Sequence, residues 1–486
     1  MAASRVVHVT SADDGVAAHE LRDGIARIQA ELEVTPEFPA EVMAAAEAAV
    51  AAPRLPDLDR TDIPLVTIDP PSSMDLDQAM HIVRDPDNAD GYVVYYAIAD
   101  LAAFISPGDP IDEEAHKRGM TLYGADQKVP LHPTTISEGA ASLLPDQVSP
   151  ALLWTIKVDE TGEGTDVTVE RARVRSTAKL SYEGVQQAID DGSADEPLLL
   201  LKEVGELRLT REAARGGVSL PLPEQQVTVE GEQWRLEFRA QIPTEQWNAQ
   251  ISLLTGMAAA SLMVYGRVGL LRTLPPADPR DVQRLHRTAR ALGIDWPAEM
   301  LYPDFVRSLD PTKPAHAAMV TACTRLLRGS GYVGFVGEVP DQPEHSALAS
   351  EYAHVTAPLR RLGDRYAGEI CLALCAGEEV PGWVLDRLHD LPSTLQRADQ
   401  LSHRYEGAII DLVEAGVLRP RVGERFDGVV VEVDDKDDKR GTITVHDPAV
   451  EAPVVAAGAL PLGNEVSATL TSADPLKRSV TFTLDV

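Results

Sequence analysis

The stretch that most constrains how this chain can fold runs from Leu65 to Ala79. It opens with four residues of buried-strand type, Leu65-Val66-Thr67-Ile68, which deliver Asp69 into Pro70-Pro71-Ser72-Ser73. It then reads Met74-Asp75-Leu76-Asp77-Gln78-Ala79. The prolines force a tight turn after the strand. Asp75 and Asp77 stand two apart, so in an extended segment both side chains leave the same face. Three carboxylates brought together repel one another, and such a cluster is comfortable only with a cation among them. Oxygen-only ligands favour a hard ion, Mg²⁺ or Mn²⁺. Two such ions about 3.5–4 Å apart can activate a water and hold the leaving oxygen of a phosphodiester. The bland alternative is a solvated acidic turn, common in a chain with 76 Asp and Glu against 44 Lys and Arg.

A second stretch carries the opposite charge: Tyr352-Ala353-His354-Val355-Thr356-Ala357-Pro358-Leu359-Arg360-Arg361-Leu362-Gly363-Asp364. Proline suits the first turn of a helix, so Pro358 is expected to open one with Arg360 and Arg361 in its first turn. A guanidinium fork matches phosphate geometry. An exposed basic helix start explains the same residues without any ligand. The formal net charge of −32 argues against a generic nucleic-acid binder, whose footprint is basic. Two arginine clusters, Arg171/Arg173/Arg175 and Arg360/Arg361/Arg365, leave room for a basic channel inside an acidic shell, with weak non-specific binding and sharp salt dependence.

At 44% hydrophobic and 25% charged, the 486 residues suit a globular protein of two to four domains. No apolar run approaches the roughly 20 residues of a membrane helix, so no membrane partner is expected. Met1 to Thr10 lack the pattern of a signal peptide, and the cytoplasm is the expected compartment. Three cysteines, Cys323, Cys371 and Cys375, do not make a disulfide framework. Cys371 and Cys375 read as small buried residues on one helical face. Residues 1–60 are expected to be helical, with Ser11 capping one helix and Thr35-Pro36 opening a second. Leu65–Ile68, Tyr92–Ile98, Leu152–Val158 and Val167–Val174 read as strands, while Glu183–Ile189 starts a helix. Asn248–Val268 reads as an apolar helix, and Val384–Val417 as a helical region. Residues 61–390 then form one large α+β domain and 391–420 a helical connection. Residues 421–486 alternate through short strands and charged turns, as in a small OB-type barrel. OB folds often bind single strands, although this copy is acidic and poor in aromatics.

Read together, these stretches resemble the catalytic domain of the ribonuclease II (RNB) family. The likeness runs in order through Ile98-Ala99-Asp100-Leu101, Pro107-Gly108, Asp112-Glu113-Glu114-Ala115 and Arg118-Gly119-Met120-Thr121-Leu122-Tyr123. It continues through Val129-Pro130-Leu131-His132-Pro133, Ser142-Leu143-Leu144-Pro145 and Ser176-Thr177-Ala178-Lys179-Leu180-Ser181-Tyr182, and covers about residues 62–390. The resemblance implies a metal-dependent exoribonuclease, shortening single-stranded RNA from its 3′ end and releasing nucleoside 5′-monophosphates, with Mg²⁺ or Mn²⁺ as cofactor. It implies that Asp69, Asp75 and Asp77 are metal ligands, and that Arg360 steadies the charged phosphate with Arg361 beside it on the RNA. Tyr123 corresponds to an aromatic that stacks on a base, and Tyr182 to one that lines the site. For either tyrosine alone, core packing is the simpler explanation.

Three departures stand out. Gln78 replaces an aspartate that the family usually carries, offering a neutral carbonyl oxygen as the fourth ligand. Ala249 and Gln250 stand where the family has paired glutamates, which bears on how RNA is told from DNA. About 60 helical-looking residues replace two N-terminal barrels. The competing expectation is therefore an RNA-binding protein on an RNB scaffold with little or no turnover. A monomer is expected in either case.

Overall fold

Two closed five-stranded barrels organise this structure, a computed structural model that describes residues 16–125, 127–220, 224–230, 233–239, 241–310 and 312–484. Ser11 and the Met1–Thr10 segment lie outside the described residues. In chain order come α1 (Val16–Glu31), α2 (Ala40–Ala51), β1 (Leu65–Ile68), β2 (Gln78–Arg84), β3 (Tyr92–Ala99) and α3 (Pro110–Arg118). A short hairpin, β4 (Leu122–Tyr123) and β5 (Lys128–Val129), precedes the long strands β6 (Val148–Val158) and β7 (Gly164–Leu180). There follow α4 (Tyr182–Asp191), α5 (Glu196–Ala214), the hairpin β8 (Glu224–Glu230) and β9 (Gln233–Arg239), and α6 (Pro243–Gly266). Next are β10 (Val268–Thr273), α7 (Pro279–Ala291), α8 (Tyr302–Arg307), α9 (Pro314–Cys323), β11 (Gly331–Val336), β12 (Glu344–His345) and β13 (Ser350–Glu351). Helices α10 (Leu362–Ala376), α11 (Gly382–Arg387) and α12 (Leu391–Leu418) lead to β14 (Arg425–Val433), β15 (Arg440–His446), β16 (Ala449–Ala456), β17 (Glu465–Asp474) and β18 (Ser479–Leu484).

The first barrel has the order β1-β2-β3-β6-β7 and closes through a parallel β1–β7 pairing. Its central strands β3 and β6 are apolar on both faces because both are covered, whereas β7 alternates and leaves one face polar. Alternate residues Met80, Ile82, Tyr96, Ile98, Trp154 and Ile156 share a core with α5, α6 and α10. The intervening Ala79, Ala97, Ala99, Leu153 and Val174 pack against α2 and the chain from Leu101 to Leu143. The second barrel has the order β14-β15-β16-β18-β17, with β16 and β18 parallel, the connectivity of an OB-type barrel. Its core continues into α12 and α1 through Leu21, Ile25, Ile28, Ile409, Leu412 and Phe482.

Several sequence expectations shift. The second N-terminal helix starts at Ala40, after Pro39, not at Thr35. The stretch before it is captured by Arg118, whose guanidinium lies 3.8 Å from the Phe38 ring and donates to Glu37 O at 2.8 Å. The two N-terminal helices are divided between two cores. At 24 residues α6 is long and apolar enough by composition to cross a bilayer, against the expectation from the sequence. Here it is a core helix, with Trp247, Ile251, Leu254, Ala259 and Met263 buried against the first barrel.

One close approach fixes where α6 sits. A Cβ at Gly256 would lie 2.2 Å from Tyr352 Cε2 and 2.6 Å from Ala353 O. Ala353 N also donates to Gly256 O at 3.1 Å. The helix is thus pressed against the 352–356 segment, which it could not approach with any larger residue. Gly256→Ala is expected to cost about 1–3 kcal/mol of stability by overpacking, read from urea denaturation. An unchanged midpoint would show that the contact is compressible.

Candidate active site

The acidic stretch lies at one end of the first barrel, and strand pairing places each carboxylate. Asp69 N donates to Leu180 O at 3.0 Å, extending the β1–β7 ladder by one residue. This brings Asp69 beside Tyr182, the first residue of α4, whose helix is capped by Ser181 accepting from Gly184 N. The turn 70–77 is pinned by Ser142, whose Oγ accepts from Leu76 N at 2.9 Å and donates to Met74 O at 2.6 Å. Ser142 belongs to the Ser-Leu-Leu-Pro element quoted above, and this is its work. Asp77 enters β2 with its backbone carbonyl accepting from Ala99 N at 2.9 Å.

The carboxylates feel one another. Burial pushes Asp69 up to about 6, with Asp75 adding to the rise and Arg360 and Lys179 opposing it. Asp77 is 3% exposed, and burial pushes it up to about 7; Arg360 and the Leu359 N–H oppose the rise, and Asp75 adds to it. Asp75 therefore lies between the other two electrically. Yet among the described residues no three His, Cys, Asp or Glu side chains stand close enough to share one ion. The expected three-carboxylate cage is not formed. Asp75 Oδ1 is held by Lys128 Nζ at 2.7 Å. Asp77 Oδ1 accepts from Leu359 N at 2.8 Å, and its Oδ2 from Arg360 Nε at 3.2 Å. The Gln78 amide donates from Nε2 to Thr356 O at 2.5 Å. The donor set is of the right chemistry for a hard ion, but in this arrangement side-chain cations hold it.

The arginine stretch also departs from expectation. Pro358 does not open a helix: Ala357 O accepts from both Arg360 N and Arg361 N in a turn, and α10 begins at Leu362. Arg361 is the N-cap residue, and its Nη2 lies 2.7 Å from Asp364 Oδ2, which also accepts from Ala357 N. It braces the turn. Arg360 keeps 41% of its side chain exposed, and its Nη atoms have no hydrogen bond to another described residue. Of the other arginines expected to form a channel, Arg171 pairs with Asp100 and Glu369, Arg173 with Asp59 and Arg365 with Asp112. Arg365 and Asp112 are both buried, where charge demands a partner, while Arg171 and Arg173 are partly exposed and pair nearer the surface. They offer no basic footprint.

Both tyrosines reach the site. Tyr123 OH is raised by burial, in the field of Arg360, Asp75 and Asp77. Tyr182 OH accepts from Asn248 Nδ2 at 3.3 Å, and burial followed by Asp69 pushes it up to about 12. Around them stand residues that no motif announced: Lys128, Glu138, Asn248 and a Ser252 Oγ–Thr356 Oγ1 contact of 2.9 Å. Gln250 points into the core, with Nε2 donating to Glu212 Oε2 at 2.7 Å. Spacing in the sequence could not reveal Lys128 and Glu138, which meet only through the fold.

An RNB domain matches residues 58–374, and an RNase II-type exonuclease C-terminal S1 domain matches residues 424–485. The chain belongs to the RNB family. A curated relative, ribonuclease R of Aquifex aeolicus, is 26% identical over 387 residues, covering 76% of this chain and 53% of the relative. The RNB-family chain thus spans about half of that relative's length. Among solved structures, Mycoplasma genitalium RNase R in complex with ribose-methylated single-stranded RNA superposes with a TM-score of 0.84 at 18% identity, covering 96% of this chain and 78% of that one. Yeast Ssd1, a pseudonuclease, superposes with a TM-score of 0.68 at 14% identity, covering 89% and 55%. At such identities the structural likenesses establish the fold.

The raised carboxyls make a stability prediction. The folded chain holds the Asp69 proton more tightly than the unfolded chain does, its folded value of about 6 lying above the ordinary 3.8. Its contribution is therefore fully present below about pH 4 and lost as pH rises through about 6. In EDTA, Asp69→Asn is expected to stabilise the protein by about 1–2 kcal/mol at pH 8, a value reduced for partial solvent exposure, and by nothing at pH 4. Melting curves at the two pH values check this; an effect equal at both would refute it.

Proposed function

We propose that the chain is a 3′→5′ exoribonuclease that hydrolyses single-stranded RNA to nucleoside 5′-monophosphates with the help of Mg²⁺ or Mn²⁺. The observation that carries the reading is Arg360. Its Nε is anchored on the buried Asp77, and its open Nη fork stands over a cluster of carboxylates flanked by two tyrosines. A guanidinium so fixed can bind a terminal phosphodiester bidentately and stabilise the charge that grows on it during in-line attack by water. Tyr123 and Tyr182 supply flat surfaces for the last bases, and stacking is worth about 1–3 kcal/mol per base whatever the sequence. Asn248 and Ser252 are polar side chains that α6 brings beside the site, and they are candidates to meet a ribose hydroxyl in the absence of the family's glutamates. Asp69, Asp75 and Asp77, with Gln78 as the weakest candidate, remain the proposed metal ligands on donor chemistry. Arg361 acts on RNA through the turn it braces.

The second reading, an RNA-binding protein with little turnover, is favoured by a specific observation: Asp75 is occupied by Lys128, and Gln78 by Thr356. End-labelled RNA with a free or a blocked 3′ end separates the readings. The exonuclease predicts a ladder of shortening products and labelled 5′-monophosphate from free ends alone. Blocked RNA cut as fast as unblocked would defeat the exonuclease, and wild type indistinguishable from Asp77→Asn would favour binding without turnover. Within the enzymatic reading, Arg360→Ala is expected to lower kcat by about 10²–10³-fold, as removal of one oxyanion-stabilising donor does. A change confined to KM would show that Arg360 only binds substrate.

A further inference from the structure

Lys128 has no role in the exoribonuclease reading so far, and its setting is unlike that of a surface lysine. Its Nζ lies 2.7 Å from Asp75 Oδ1 and 2.9 Å from Glu138 Oε1. The three residues come from separate parts of the chain: β5, the turn between β1 and β2, and the helical turn Ile136–Ala140. Lys128 is the register partner of Tyr123 on the neighbouring strand, so the hairpin aims both at the site. The lysine is 25% exposed and Asp75 13%. An ammonium withdrawn this far from water needs more than one carboxylate to compensate it, and it has two. The contact is therefore built rather than incidental.

Asp75 is the central member of the acidic cluster, since it acts on both Asp69 and Asp77. An ion bridging Asp75 to either neighbour would share one carboxylate with the ammonium that already holds Oδ1. Two cations at contact distance repel strongly in a partly buried site. Glu138, the second anchor, resists the lysine's departure. Resting on the exoribonuclease reading, we propose that Lys128 is a tethered cation that takes the place of one divalent ion. The site then binds one divalent ion, with Glu138 positioning the lysine.

Charge balance agrees. Asp69, Asp75, Asp77 and Glu138 carry four negative charges when ionised, opposed by Lys128, Lys179 and Arg360, and the one negative charge left over suits one divalent ion better than two. The neutral Gln78 fits the same account, because a carboxylate there would restore the charge that a second divalent ion needs.

The test counts ions directly. The full chain is stripped with EDTA, and Mn²⁺ binding is followed by the loss of the free-ion EPR signal. Uptake missing in the Asp69→Asn/Asp77→Asn double variant defines the site. Wild type is expected to take up one Mn²⁺ there. Lys128→Gln should take up a second, or bind the first at least about tenfold more tightly, while Lys128→Arg should behave as wild type. Glu138→Gln, which removes only the second anchor, should shift in the same direction as Lys128→Gln and gives an independent check should that variant fold poorly. Two site-specific ions in wild type, or unchanged uptake in both Lys128→Gln and Glu138→Gln, would overturn the proposal. So would no site-specific uptake in any chain. RNA decay is assayed on the same samples. Release of 5′-monophosphate by wild type keeps the exoribonuclease reading whatever the ion count, and its absence with every metal removes that reading separately.

Discussion

The rest of the site depends on how this fold neutralises a buried carboxylate. Asp77 is withdrawn from water and held by one backbone N–H, from Leu359, and one guanidinium, from Arg360. That single side chain joins the first barrel to a turn almost three hundred residues away. The turn is itself stitched to the hairpin that carries Tyr123, because Thr121 N donates to Arg360 O and Leu362 N to Gly119 O. Asp364 then ties Arg361 and the Ala357 N–H together behind it. An uncompensated buried charge costs several kcal/mol, so each of these contacts is demanded by the one before it.

The same demand explains the chain's charge. A protein with a net charge of −32 has carboxylates to spare, and most of the arginines that suggested a nucleic-acid channel are spent on them inside the fold. Arg360 is different because only its Nε is used. A phosphate would find there a fork already oriented and only half desolvated. Under the proposed function, one well-placed cation and flat aromatic surfaces carry the recognition of RNA, and a diffuse positive field much less.

The N-terminal and C-terminal parts are one piece of packing. Helix α12 is 28 residues long, and it carries the core of the second barrel back to α1 and to the β4–β5 hairpin. Helix α2 joins instead the face of the first barrel that supports Leu76 and Leu65. The two N-terminal helices therefore brace β1, which leads into the turn that carries Asp75, and the hairpin that carries Lys128.

What was legible in the sequence followed from local rules. Proline and serine after an apolar strand marked the turn that carries the aspartates, short runs of apolar, aromatic and β-branched residues marked strands of the first barrel, alternation marked the second, and the order of short elements marked the RNB domain. Pro358 misled because its φ suits a helix start equally well in a turn, and the choice fell to Asp364, whose carboxylate pins Ala357 and Arg361. Pro39, not Thr35, set the start of α2 because Arg118 held the chain between them. By itself, then, the sequence determined which residues could supply oxygen ligands, a guanidinium and aromatic faces, for these depend on side-chain chemistry and on neighbours a few residues away. Only the tertiary structure decided which charge meets which. Lys128 on Asp75, Arg360 on Asp77 and Gln78 on Thr356 are pairings across loops and barrels, set by how buried charges and amides find partners once the chain has closed.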